Sequence, residues 1–128
     1  MIASTALGLE PFQAIVEQAP DAMIFADPAG IVRVWNTRAE AMFGYAASEA
    51  IGQSLDLIIP AHLRAAHWHG YHRAIAAGRT RPDARPMTTR ATHKDGSKLY
   101  VELAFAIVSG APHGVLGALA TARHSQKP

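Results

Sequence analysis

The 128-residue chain contains no cysteine. Disulfides, thiolate metal sites, covalent c-type haem attachment and flavin photochemistry through a cysteinyl adduct are therefore excluded. No apolar run is long enough to cross a membrane, and no basic N-terminal region precedes a hydrophobic stretch, so the sequence predicts a soluble, cytoplasmic domain without a membrane partner. A surplus of either charge is missing as well. Twelve Lys and Arg against ten Asp and Glu leave a formal charge of +2, and no basic block carries interleaved aromatics, which argues against nucleic acid. No serine sits in a nucleophile elbow, and no Gly-rich loop is built to cradle phosphate. The acids fall mostly at turns and helix starts, where capping explains them. The chain does not read as an enzyme. Apolar residues nevertheless make up 49% of it, enough for one globular core.

What stands out is histidine. Between Pro60 and Gly78 lie His62, His67, His69 and His72, four of the chain's seven, beside Trp68, Tyr71 and a run of alanines. On a 3.6-residue period His67 shares a face with Leu63, Gly70, Tyr71 and Ala74, whereas His62, His69 and His72 point to the flanks or to water. An imidazole turned toward a core needs a partner. A backbone carbonyl is the plain choice and iron the functional one. The outer histidines lack a carboxylate or thiolate companion and make a poor zinc site. Trp68 is expected to pack against a neighbouring element or a partner subunit.

The remaining chain alternates between helical and strand periods. Phe12, Ile15 and Val16 recur at helical spacing from Leu9 until Pro20. Strands are predicted over 21–27 and 31–35, joined by the turn Asp27-Pro-Ala-Gly30. Asn36 or Thr37 caps a helix over 38–43 that Gly44 ends, a helical turn starts at Ser48, and a longer helix spans 61–77. A polar connector over 79–85 leads to strands at 86–92, 99–108 and 113–122, with Lys94-Asp-Gly-Ser97 as a hairpin turn. The predicted fold is α+β: an antiparallel sheet with short helices on one face and an N-terminal helix. Residues 1–8 are expected to form a disordered leader, 9–123 the domain and 124–128 a disordered tail.

That order resembles the PAS sensor fold over about residues 10–123. The resemblance rests on the hairpin Asp27–Gly30, on Asn36, Ala39, Gly44-Tyr45, Glu49 and Gly52, then on Pro60, Gly78 and Lys94-Asp95-Gly96. It implies a five-stranded antiparallel sheet. Within that family the chain resembles the haem-binding domains of the oxygen-sensor kinases of nitrogen fixation and of PAS carbon monoxide sensors. In the kinases the iron-binding histidine follows a proline by seven residues, which here is His67 after Pro60. Propionate contacts six and fourteen residues further correspond to Arg73 and Arg81. Val101, Leu103 and Phe105 correspond to the apolar distal wall. Where the kinases place a distal arginine, twenty residues past the histidine, this chain has Met87. Methionine donates no hydrogen bond, but its thioether is a soft iron ligand. On a strand it more readily fills core volume.

The resemblance thus implies b-type haem held by His67 as proximal ligand, with Met87 as a distal candidate and Gly70 and Tyr71 lining the site. The group sensed is then CO, NO or O2, or a redox state. A homodimer, with Leu9, Phe12 and Val16 as a sticky helix face, and an output module outside the chain complete the implied partners. The rival reading is a haem-free PAS interaction module with a filled or small-metabolite pocket. Flavin is disfavoured, because the amide side chains that flavin-binding relatives carry on the pocket strands are missing.

Overall fold

The computed structural model describes residues 10–79 and 85–127. The expected leader, residues 1–8, lies outside them. Helix α1 spans Glu10–Gln18 and is followed by the hairpin of β1 (Ala22–Ala26) and β2 (Val32–Trp35). Asp27 closes that hairpin: one of its carboxylate oxygens accepts the amides of Ala29 and Ile31, and the other accepts Arg33 Nε. Helices α2 (Thr37–Phe43) and α3 (Ala47–Ala50) come next, then 3-10 turns at Leu55–Ile58 and Ala61–Leu63. The longest helix, α4 (Arg64–Ala77), leads on to β3 (Met87–Thr92), β4 (Lys98–Gly110) and β5 (Gly114–His124).

The strands form one antiparallel sheet in the order β2-β1-β5-β4-β3. The helical segment carries the chain from the β2 edge across to the β3 edge. Strand alternation does what the period predicts. Ile24 and Ala26 of β1, Ala118, Ala120 and Ala122 of β5, and Val101, Leu103 and Phe105 of β4 fall on one face by register. The helices cover that inner face. The core centres on Trp35, Phe43, Val32 and Val101, with the Trp35 and Phe43 rings 5.6 Å apart.

Asn36 joins the layers. It is fully buried, and its Oδ1 accepts the amides of Met23 (2.9 Å) and Ala39 (3.0 Å), capping α2. Its Nδ2 donates to the carbonyls of Val16 (2.8 Å) and Asp21 (3.1 Å), so one side chain ties α1, β1 and α2 together.

Coverage of the inner face is uneven. Along β4, exposure rises from 1% at Val101 to 46% at Phe105. Helix α2 buries Ala39, Met42 and Phe43, and α3 buries Ala50, but no residue of α4 is fully buried.

Candidate functional site

Helix α4 lies over the ends of β1 and β5, and its sequence sets how it is held. The Trp68 ring rests on Gly30, where a β-carbon would stand 2.2 Å from the ring, so that turn position admits only glycine. Trp68 Nε1 donates to Asp56 Oδ1 at 2.8 Å. One turn earlier, the Arg64 guanidinium donates to the carbonyls of Ile59 (3.0 Å) and Asp56 (3.2 Å). One turn on, the Tyr71 hydroxyl donates to the Asp27 carbonyl at 2.6 Å, with that of Ala26 at 3.2 Å. Burial, and secondarily the Asp27 charge, push the Tyr71 phenol up to about 12.

Between Trp68 and Tyr71 the same face presents His67, whose ring packs edge-on to Trp68 at 4.6 Å and tilted to Tyr71 at 5.7 Å. His67 lines an apolar cavity with Ile24, Ala26, Leu55, Tyr71, Phe105, Ala118 and Ala120. Its Nδ1 is buried and has no hydrogen-bonding partner among the described residues. At Nδ1 the carbonyl bond expected of an ordinary core-edge histidine is therefore not made. Burial holds the ring below its usual 6.5, with Asp56 pulling the other way and His72 adding to the lowering. A neutral imidazole is the ligand-competent form.

The other candidates are placed as follows. Tyr71 and Phe105 line the cavity with His67. Leu103 is half-buried against the core, and Val101 is part of it. Gly70 does not face the cavity: it is exposed, and a β-carbon there would meet open space, because it sits at the edge of the stripe that Tyr71 centres. Met87 does not fill core volume. It lies opposite Leu103 on the inner face but is 54% exposed. Arg73 is exposed and makes no ion pair among the described residues. Arg81 lies outside the described residues. His62, His69 and His72 are exposed, and no cluster of three metal-ligating side chains occurs among the described residues.

Sequence reading missed the alanine floor of Ala26, Ala118 and Ala120. The signal was there in the alternation of β5, but only the register with β1 brings these methyl-sized side chains under His67.

The fit to haem is chemical rather than volumetric. An unpaired neutral imidazole, an apolar lining and a floor of small side chains suit a flat macrocycle. The cavity itself holds about 30 Å3, room for about one water. Cofactor sites enclose about 300–1,000 Å3, so the cavity as it stands is too small to enclose the group.

Comparison with known proteins accords with the architecture. The family model described as PAS fold matches residues 10–124. The chain is 40% identical over 55 residues to the sensor protein FixL of Bradyrhizobium diazoefficiens, covering 43% of this chain and 11% of that protein. It is 33% identical over 78 residues to the oxygen sensor protein DosP of Escherichia coli, covering 61% and 10%. The chain thus spans about a tenth of the length of these relatives. Among solved structures, the PAS domain of a Colwellia psychrerythraea protein superposes with a TM-score of 0.77 at 23% identity, covering 91% of this chain and 96% of that one. An RNA-binding light-oxygen-voltage receptor superposes at 0.74 and 24% identity, covering 94% and 34%. At these identities both show the fold alone. The chain belongs to the PAS fold family.

Proposed function

We propose that this PAS domain is a sensory module that binds b-type haem through His67 and reports on a diatomic gas or on redox state. The observation that carries the proposal is the His67 imidazole: neutral, turned into an apolar cavity, its Nδ1 buried without a partner. A buried polar atom left unpaired costs roughly 1–3 kcal/mol, and a chain tolerates that most readily where a ligand settles the account. Likeness to a sensor protein and to an oxygen sensor supports the reading.

When bound, the iron supplies an open coordination position and a ferrous–ferric couple. The chain's residues do the rest. His67 holds the group from α4, while Phe105 supplies an apolar wall from the sheet, with Leu103 and Val101 further along the same strand. Tyr71 and Trp68 fix the helix that carries His67. The arginines Arg73 and Arg81 supply positive charge for the acid groups of the macrocycle. Met87, exposed beside Leu103, is the candidate sixth ligand. The Tyr71 hydroxyl is committed to backbone carbonyls and so is not available to bonded oxygen. That favours CO or NO over O2. The domain acts as a homodimer in the cytoplasm, reading into an output module rather than catalysing a reaction.

The small cavity favours a second reading, a haem-free PAS interaction module. One optical spectrum separates them. Protein isolated from haem-supplied cells shows an intense Soret band if the proposal holds, is colourless if the domain is haem-free, and is yellow if it holds flavin. Met87→Ala converts a low-spin ferrous spectrum to high-spin if Met87 is the sixth ligand, and leaves it unchanged if not.

A further inference from the structure

Helix α4 differs from the other helices on the inner face in how it is retained. Helices α2 and α3 are held by buried apolar side chains, whereas α4 buries none fully. Its Trp68 and Tyr71 rings pack only partly buried against the core, and its polar bonds reach the β1–β2 turn and the 3-10 turn at Leu55–Ile58 with the adjoining Ile59. Tyr71 donates to the Asp27 carbonyl at 2.6 Å, Trp68 donates to Asp56 at 2.8 Å while its ring rests on Gly30, and Arg64 grips the 3-10 turn that Asp56 belongs to. Beneath this helix lies the one-water cavity with an unpaired imidazole on its wall. Polar bonds at a partly solvated surface contribute little net free energy each, and the side chains they hold are only partly buried. A helix retained in this way is drawn from the low-stability end of a fold.

We propose that α4 is a lid over the inner face, latched by the Tyr71–Asp27 and Trp68–Asp56 bonds, and that a ligand reaches His67 only when the latch is released. One latch acceptor, Asp27, closes the β1–β2 hairpin, and the other, Asp56, lies in the 3-10 turn whose Leu55 amide donates to the Gly30 carbonyl of that hairpin. Occupancy beneath α4 therefore changes what that turn is bonded to, which couples the site to the β2 edge of the sheet. The lid does not depend on which ligand binds; that the admitted ligand is haem rests on the function proposed above.

The test is amide hydrogen exchange on the ligand-free chain, comparing the parent with Tyr71→Phe and Trp68→Phe. Tyr71→Phe keeps its ring and loses only its donor, whereas Trp68→Phe loses both the donor and the outer indole ring that rests on Gly30. The net worth of one such bond corresponds to about fivefold in an opening equilibrium. Exchange across α4 is expected to quicken about fivefold in each variant, with β1, β4 and β5 unchanged. Unchanged exchange in α4 for both variants overturns the lid. So does a uniform rise across all elements, which marks the bonds as contributors to global stability only. Hemin serves as the probe of admission: uptake quickens by a similar factor in Tyr71→Phe, and an unaltered uptake rate contradicts the gate. A parent chain that takes up no hemin removes the haem reading and leaves the exchange comparison to decide the lid.

Discussion

At the scale of single residues, two side chains show how much one position can decide. Asn36 makes four hydrogen bonds from a fully buried site, its amide oxygen accepting two and its amide nitrogen donating two. Asn36→Ala removes a helix cap and strands buried backbone groups, so it should lower stability by about 3 kcal/mol in denaturant unfolding, with α1 released from the sheet. Its role was legible in the sequence as a cap after β2; its reach back to Val16 and Asp21 was not, because those partners lie 20 and 15 residues away along the chain. Tyr71 gives the pH prediction. Its phenol ordinarily ionises at 10.0 and in the folded chain is raised to about 12, so the unfolded state loses its proton first as pH climbs. The stabilisation is complete below pH 10 and is lost between 10 and about 12. Thermal melts should fall over that window in the parent and fall less in Tyr71→Phe.

At the scale of elements, the pattern of apolar alternation located every strand of the sheet, and the turn chemistry located the β1–β2 and β3–β4 hairpins but not the short β4–β5 turn. It erred where burial depends on a neighbour instead of a period. Gly70 shares the helical stripe of His67 but lies past its edge, and Met87 alternates inward at the start of β3 yet stays 54% exposed. Small residues gave the weakest signal, since an alanine reads alike on either face, and so the floor under His67 went unseen. The contact between the β1–β2 turn and α4 is equally invisible in one dimension. Gly30 has φ +85°, and a side chain there would collide with Trp68. Gly30→Ala should therefore cost about 1–3 kcal/mol and shift the Trp68 fluorescence toward that of a solvated indole, whereas an untouched spectrum and melting temperature contradict the packing described.

At the scale of the whole molecule, the basic residues are spaced out along the chain, yet the signs are segregated by halves. Residues 1–56 carry seven acids and two arginines; residues 57–128 carry ten Lys and Arg and three acids. The half that holds α4, β3 and β4 keeps a surplus of cations even though Arg64, Lys94 and Arg123 pair with Asp56, Glu49 and Asp21 of the first half, and that surplus favours an anionic ligand. Association of hemin, whose propionates are anionic, should slow as salt rises from low to physiological ionic strength, and a rate indifferent to salt contradicts steering. The segregation is compatible with the small net charge, which conceals it. The most direct measurement is a titration of the parent chain and of His67→Ala with hemin, followed in the Soret region and repeated with added imidazole. The expected result is saturation at one hemin per parent chain, loss of the coordinated band in His67→Ala, and its return when imidazole fills the space left by the side chain. Equal binding by the two proteins, or none by either, contradicts His67 as the iron ligand.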